Sequence, residues 1–332
     1  MDLTFCARGL LLGLCWTFVD CILQPANLQS NLPILFSRKE WLFGVDEPQP
    51  IEILQKVQDF ICRSAINPYE RAFSQHAAVA FVYSSNKMEQ TLPRGVSEQE
   101  IFQFLKKLFE EDAGLDEGSQ ESHPVLWRAD GGGLVEMRAQ MTQHCKALRL
   151  ASEWSRNSSH TLDAGKICLL HKVLMLNSKD DEGRPIKAGD IRKTGAFTTG
   201  HIYPEASFKS LEHAIGKYKA SVERNEHFLL QAATLFYEVI QAHPFQDGNG
   251  RLCRLLLNYV LERAGFPFAV PLISGHSRSR KHYILAIQAA QHKDLQAIPV
   301  NQRLMDLTSL ILKSCYYKII NYEANIRRMI TN

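Results

Sequence analysis

HPFQDGNGRLCR, His243 to Arg254, packs an imidazole, a carboxylate, a glycine-rich turn and two guanidinium groups into twelve residues. Upstream, NEHFLLQAATLFYEVIQAH places Phe228, Leu229, Ala232, Leu235, Phe236, Val239 and Ile240 at the spacing of one face of an amphipathic helix. Pro244 stops that helix, because its ring fixes φ and removes an N–H donor. Asp247-Gly248-Asn249-Gly250 is rich in residues that tolerate positive φ, so the chain turns there. RLCRLLLNYVLERAG then returns to helical spacing, with Gly265 as a stop. Two helices therefore meet at this loop.

The same periodicity extends outward. Helices are expected in IEILQKVQDFIC from Ile51, after the DEPQP break at 46–50, and in SEQEIFQFLKKLFEE, where Ser97 and Glu100 form a capping-box pattern. From Leu134, the residues Leu134, Met137, Met141, Cys145, Leu148 and Ala151 mark one helical face. LDAGKICLLHKVLML, SFKSLEHAIGKYKASV, SRSRKHYILAIQAAQH and LMDLTSLILKSCYYKIINYEANIRRM continue the pattern. GLDEGSQESHPVLWRADGGG is polar and turn-rich and reads as a loop. Residues 183–204 lack a helical period and read as a long connection with one or two short extended pieces. The expected class is all-α, with one small extended flap. The organisation is an N-terminal segment (1–45), a helical region (46–130), a core (131–300) and a C-terminal helix (301–332).

Composition narrows the function classes. The 332 residues are 45% hydrophobic and 22% charged, with a net charge of +3, which argues against a nucleic-acid partner. Eight cysteines form no C-x-x-C pair, so a zinc ribbon is not expected and free thiols are. RGLLLGLCWTFVDCIL near the start is too short for a comfortable membrane span, which needs ~20 apolar residues. It reads either as a weak signal-like stretch or as a helix docked on the domain. The cytoplasm is the expected compartment; a secretory route, in which the sequon Asn157-Ser158-Ser159 would matter, and a membrane anchor stay open.

The loop has a chemistry of its own. A positive-φ turn ahead of a helix N-terminus presents backbone N–H groups to an anion. Arg251 and Arg254, three apart, extend from one side of the following helix and complete a phosphate cradle. The G-x-x-x-x-G-K-[ST] pattern of a P-loop is not followed there. An imidazole at His243 suits a general base, and Asp247 beside phosphates suits Mg2+. The combination points to activation of a hydroxyl next to a bound polyphosphate.

The stretch resembles the signature of the Fic (Fido) family, H-P-F-x-[DE]-G-N-G-R-x-x-R, with every fixed position filled. The resemblance implies a helical bundle with a β-hairpin flap, over about residues 75–295. It also implies transfer of AMP from ATP to a Tyr, Ser or Thr hydroxyl of a target protein, with release of pyrophosphate. On that resemblance His243 deprotonates the hydroxyl, Phe245 anchors the loop, and Asp247 binds Mg2+. Asn249, with the backbone around Gly248 and Gly250, holds the α- and β-phosphates. Arg251 contacts the phosphates and balances charge in the transition state, and Arg254 holds the γ-phosphate. Gly250 stands where the kinase-like branch usually carries Lys, which points to nucleotide transfer.

TTGHIYPEASF (Thr198 to Phe208) resembles the flap, giving Thr198, Thr199, Gly200 and His201 to target alignment; a plain surface loop is the alternative. SRSRKHYILAI resembles the helix lining the nucleotide pocket, where Tyr283 packs on the base; Arg278, Arg280 and Lys281 are read as solvated. FVYSSNKMEQT (Phe81 to Thr91) resembles the family's inhibitory motif [ST]-x-x-x-E-[GN]. There Glu89 would occupy Arg254, and Ser85 would cap or steady the helix. Gln90 departs from the motif's Gly or Asn; a solvated helix face is the alternative. Three other functions stay open: removal of AMP, transfer of another nucleotide or phosphocholine, and a nucleotide-sensing module without turnover. A homodimer is allowed.

Overall fold

The computed structural model describes residues 35–37, 47–63, 68–89, 91–92, 95–110, 133–180, 183–198, 201–272, 279–294 and 298–331. Most of the N-terminal segment, most of the polar loop after Glu110, Gln90, Thr199, Gly200 and Arg278 lie outside them.

Among the described residues the first half holds four helices: α1 (Pro50–Cys62), α2 (Pro68–Met88), α3 (Glu98–Glu110) and α4 (Gly133–Arg156). Next come α5 (Ala164–Met175) and an antiparallel hairpin, β1 (Ala196–Thr198) with β2 (His201–Tyr203). The chain ends with α6 (Phe208–Glu223), α7 (Phe228–Ala242), α8 (Asn249–Arg263), α9 (Ser279–Asp294), the short α10 (Val300–Arg303) and α11 (Met305–Thr331). The expected all-α class with one hairpin is the architecture found.

Several helix starts follow from local chemistry. Pro50 opens α1, where a missing N–H costs nothing. Ser97 and Glu100 cap α3 reciprocally: the Glu100 N–H donates to Ser97 Oγ at 3.2 Å and the Ser97 N–H to Glu100 Oε2 at 2.9 Å. Asp163 caps α5 by accepting the Lys166 N–H at 2.8 Å.

The amphipathic reading of α7 requires correction. Leu230, Ala233, Thr234, Tyr237 and Glu238 are buried along with the predicted face. A helix apolar on nearly every side is a central helix, not a surface one. The polar exception, Glu238, is compensated by Lys217 at 2.8 Å and Arg303 at 3.0 Å. Helix α8 packs along α7 and is buried from Arg251 to Leu261. The motif loop thus joins two core helices, which places Phe245, Asn249, Arg251 and Arg254 inside the domain.

Helix α11 returns against α1, α9 and α7. An aromatic cluster locks this closure, with Phe73 4.8 Å from Phe268 and Tyr322 5.3 Å from Phe268, centroid to centroid. One apolar core runs from Ile53 to Tyr322. Among the described residues no disulfide forms; Cys145, Cys253 and Cys315 are buried free thiols. No helix among them is long and apolar enough to cross a membrane.

Leu235, fully buried in α7, and Ile51, 66% exposed on α1, separate the two environments. Leu235→Ala is expected to cost about 2–5 kcal/mol in urea unfolding, and Ile51→Ala less than about 0.5 kcal/mol.

Candidate functional site

The loop between α7 and α8 opens into a cleft of about 610 Å³. His243, Asp247, Asn249, Gly250 and Arg251 line it, with Glu89 from the end of α2, Thr198 from β1, and Tyr283 and Arg280 from α9. The motif residues, the candidate brake, the hairpin and the α9 helix therefore meet at one place. Within the hairpin, Thr198 pairs with His201, while the tip residues Thr199 and Gly200 lie outside the described residues.

His243 caps α7 in the left-handed region, with φ 40° and ψ 57°. Non-glycine residues adopt that conformation seldom, and it swings the imidazole off the helix path. Tyr203 of β2 stacks on the ring at 4.3 Å between centroids. Burial pushes the His243 imidazole down to about 4; the Arg192 charge adds to this, while the Ile240 carbonyl and Asp247 oppose it. At neutral pH the ring is an uncharged proton acceptor. Its Nδ1 is buried, leaving Nε2 as the nitrogen for the cleft.

Both motif arginines are inside the protein, Arg251 at 1% and Arg254 at 0% exposure. Arg251 donates to Gln140 Oε1 and pairs with Asp247 Oδ2, each at 3.2 Å. Arg254 Nε donates to Ser85 Oγ at 2.8 Å, and its Nη2 donates to the Ser85 carbonyl at 3.1 Å and to Glu89 Oε1 at 2.5 Å. Arg254 holds the Glu89 carboxyl below its ordinary value against the opposing effect of burial. The resemblance has Ser85 cap or steady its helix. It faces α8 instead and is a direct partner of Arg254, because its position in α2 is fully buried.

Asn249 turns its side chain back onto the loop. Its side-chain oxygen accepts the Phe245 N–H at 3.0 Å, and its amide donates to the Phe245 carbonyl at 2.8 Å. The side chain locks the loop, so its backbone is what remains for an anion. Gly248 has φ 77°, and a Cβ there would meet Met175 Sδ at 2.6 Å. A Cβ on Gly250 would meet Glu89 Oε1 at 2.5 Å, so the missing side chain makes room for the carboxylate.

Two residues that the sequence reading missed hold the loop. His171 of α5 stacks face to face on fully buried Phe245 at 3.7 Å. It accepts the Gly189 N–H at Nδ1 and meets the Asp247 carbonyl through Nε2, each at 2.9 Å. Those two contacts fix one neutral tautomer. Arg192 donates through Nε to the His243 carbonyl at 2.6 Å and through its backbone to the Pro244 carbonyl at 2.9 Å. It also reaches the Thr194 carbonyl ahead of the hairpin. Neither carries a local sequence signal, since each acts from a distant segment.

Tyr283 is half-buried, its ring edge-on to Phe236 at 5.9 Å. Arg280 and Lys281 are exposed. No group of three or more His, Cys, Asp or Glu side chains that could enclose a metal occurs among the described residues. Asp247, with 55% of its side chain accessible, is the motif's own carboxylate on the cleft, which Glu89 and Asp180 also line.

The buried imidazoles predict an acid limit. His171, His227 and His243 are pushed down to about 4, whereas unfolded His titrates near 6.5. Between about pH 6.5 and 4 the unfolded chain binds more protons, so stability falls as pH falls through that window. The melting temperature is expected to be flat from pH 8 to 7 and to drop steadily below about 6.5.

The Fic/DOC family model matches residues 161–261, which include the hairpin and the whole motif. "Protein adenylyltransferase Fic" of Culex quinquefasciatus is 33% identical over 116 residues, covering 34% of this chain and 22% of that protein. The protein of the same name from Nematostella vectensis is 28% identical over 155 residues, covering 46% and 34%. The match thus spans about a fifth to a third of these relatives' length. Among solved structures, a Fic domain containing signaling protein from Bacteroides thetaiotaomicron superposes with TM-score 0.60 at 20% identity, covering 83% of this chain and 97% of that one. Fic-1 from C. elegans gives TM-score 0.60 at 20% identity, with coverages of 84% and 73%. These two likenesses are of fold. Motif, architecture and family match converge on one loop, which lies within the residues 161–261 that match the Fic/DOC family.

Proposed function

We propose that this chain is a protein adenylyltransferase, moving AMP from ATP to a Tyr, Ser or Thr hydroxyl of a target protein. One observation carries the reading: a neutral imidazole shares a cleft with the partners of two buried guanidinium groups. A general base at neutral pH must be unprotonated, and a polyphosphate needs fixed positive charge. Arg251 Nε and Arg254 Nη1 are buried donors without a partner, which fits a site for anionic oxygens. The names of the curated relatives support the same activity.

In this reaction the target oxygen attacks the α-phosphorus, the bond from that phosphorus to the α–β bridging oxygen breaks, and pyrophosphate leaves. His243 takes the hydroxyl proton at Nε2, while Tyr203 and the Arg192 contact hold the ring and its backbone in place. Arg251 and Arg254 offset the charge on the phosphates. Asp247 suits Mg2+, which takes few carboxylates and completes its shell with phosphate oxygens and water. That ion supplies charge neutralisation on the phosphates. The hairpin turns Phe197 and Ile202, a facing pair 72% and 75% exposed, outward beside the cleft, where an extended target segment can dock.

Glu89 acts as a brake in this reading. Its carboxylate sits on Arg254, where the γ-phosphate binds, so ATP must displace it. A second reading has one specific support: 34% of the Glu89 side chain is accessible and it lines the cleft. A carboxylate there can orient water for removal of AMP from a modified target.

Incubation with α-labelled ATP, Mg2+ and cell lysate is expected to label protein, and His243→Ala to abolish the labelling. Equal nucleotide binding by both proteins without label in either overturns the transferase. Glu89→Gly is expected to raise auto-labelling on the order of tenfold, since a hydrogen bond between charged partners contributes about 1.5–3 kcal/mol. Release of AMP from labelled target, lost in the same variant, marks the reverse reaction.

A further inference from the structure

We propose that His144 on α4 is a positioning residue for the brake, acting on Glu89 through Asn86 and Thr91. The inference rests on the proposed brake and names what sets its strength.

Asn86 follows Ser85 in α2, and both it and His144 are fully buried. The Asn86 amide donates to the Val82 carbonyl at 2.7 Å, which fixes which side-chain atom is nitrogen. Its second N–H then points to His144 Nδ1 at 3.0 Å, so that nitrogen is the acceptor and the ring's hydrogen is on Nε2. The other side-chain atom, Oδ1, accepts the Thr91 hydroxyl at 3.1 Å. The Asn86 backbone carbonyl accepts the Thr91 N–H at 3.1 Å and shares the single Thr91 hydroxyl hydrogen with Oδ1, also at 3.1 Å. This bond, from five residues ahead, is of the kind that closes helix ends. Glu89 sits within the turn so closed.

Helix α4 ties this turn to the motif. Gln140 and His144 are four apart and share a face. Gln140 accepts from Arg251, and His144 accepts from Asn86. His144 also packs edge-on against Phe81 of α2 at 5.5 Å. One helix face therefore fixes Arg251 and, through Asn86, the turn that delivers Glu89 to Arg254. With Asn86 unanchored, the turn gains alternatives and the carboxylate spends less time on Arg254. Ser85 and Glu89 supply the contacts; His144 keeps them in register.

The test uses the full chain and calorimetric binding of α,β-methylene-ATP with Mg2+, which the proposed reaction does not cleave. His144→Phe keeps the aromatic packing and removes the acceptor. It also removes the unpartnered buried N–H at Nε2, so the melting temperature is expected to change little. It is expected to tighten nucleotide binding about threefold to tenfold, the range one neutral hydrogen bond supplies. Thr91→Val, on the half-buried side of the turn, is expected to tighten it in the same direction and keeps the test available if the core variant does not fold. His144→Asn, which returns an acceptor near the Nδ1 position, is expected to stay close to the parent. In a Glu89→Gly background His144→Phe is expected to add nothing. If Glu89→Gly tightens binding while His144→Phe and Thr91→Val do not, the positioning role is overturned and the brake stands. If Glu89→Gly itself leaves binding unchanged, the brake is overturned and the positioning role with it.

Discussion

The site is organised around buried positive charge. Arg251 and Arg254 enter the core because the motif loop joins two central helices, and a guanidinium removed from water requires partners. Asp247, Gln140, Ser85 and Glu89 supply them from α8's own approach, from α4 and from α2. The packing of α2 and α4 against α8 is thus an electrostatic requirement as much as an apolar one. A phosphate and a carboxylate satisfy the same guanidinium fork, so a site built for one is open to competition from the other.

The loop itself is held by contacts that leave its chemistry free. Asn249 pins the Phe245 backbone, His171 pins the Asp247 carbonyl, and Arg192 pins the carbonyls of His243 and Pro244. Each uses a backbone atom that the glycine-rich turn would otherwise leave unsatisfied in a buried place. With its backbone fixed, the loop presents the His243 ring and the Asp247 carboxylate in one arrangement. The stacked Tyr203 extends that control to the hairpin, which couples the acceptor imidazole to the element beside which a target is proposed to lie.

The periodic segments and their caps were legible because each depends on residues within one turn of helix. Ser97 with Glu100, and Asp163 with Lys166, are local hydrogen bonds whose partners sit three apart. The reading of α7 as amphipathic failed for the opposite reason. Periodicity reports where apolar groups fall, while burial of the opposite side depends on which helices pack there; Ala233, Thr234 and Tyr237 are compatible with either. Ser85 shows the same limit: its hydroxyl was legible as a hydrogen-bonding group, but not that its partner lies 169 positions away.

By itself the sequence determined the helical class, the turn at Asp247 to Gly250, the identity of the reactive groups and their order along the motif. These follow from backbone preference and side-chain chemistry over short range. Tertiary structure alone decided that burial pushes the His243 imidazole down, that both arginines are buried, that Asn249 serves the loop, and that His171 and Arg192 support it. The physical reason is that burial and charge proximity are properties of assembled surfaces. A side chain's protonation and partners are set by whatever the fold brings within a few ångströms, from any distance along the chain.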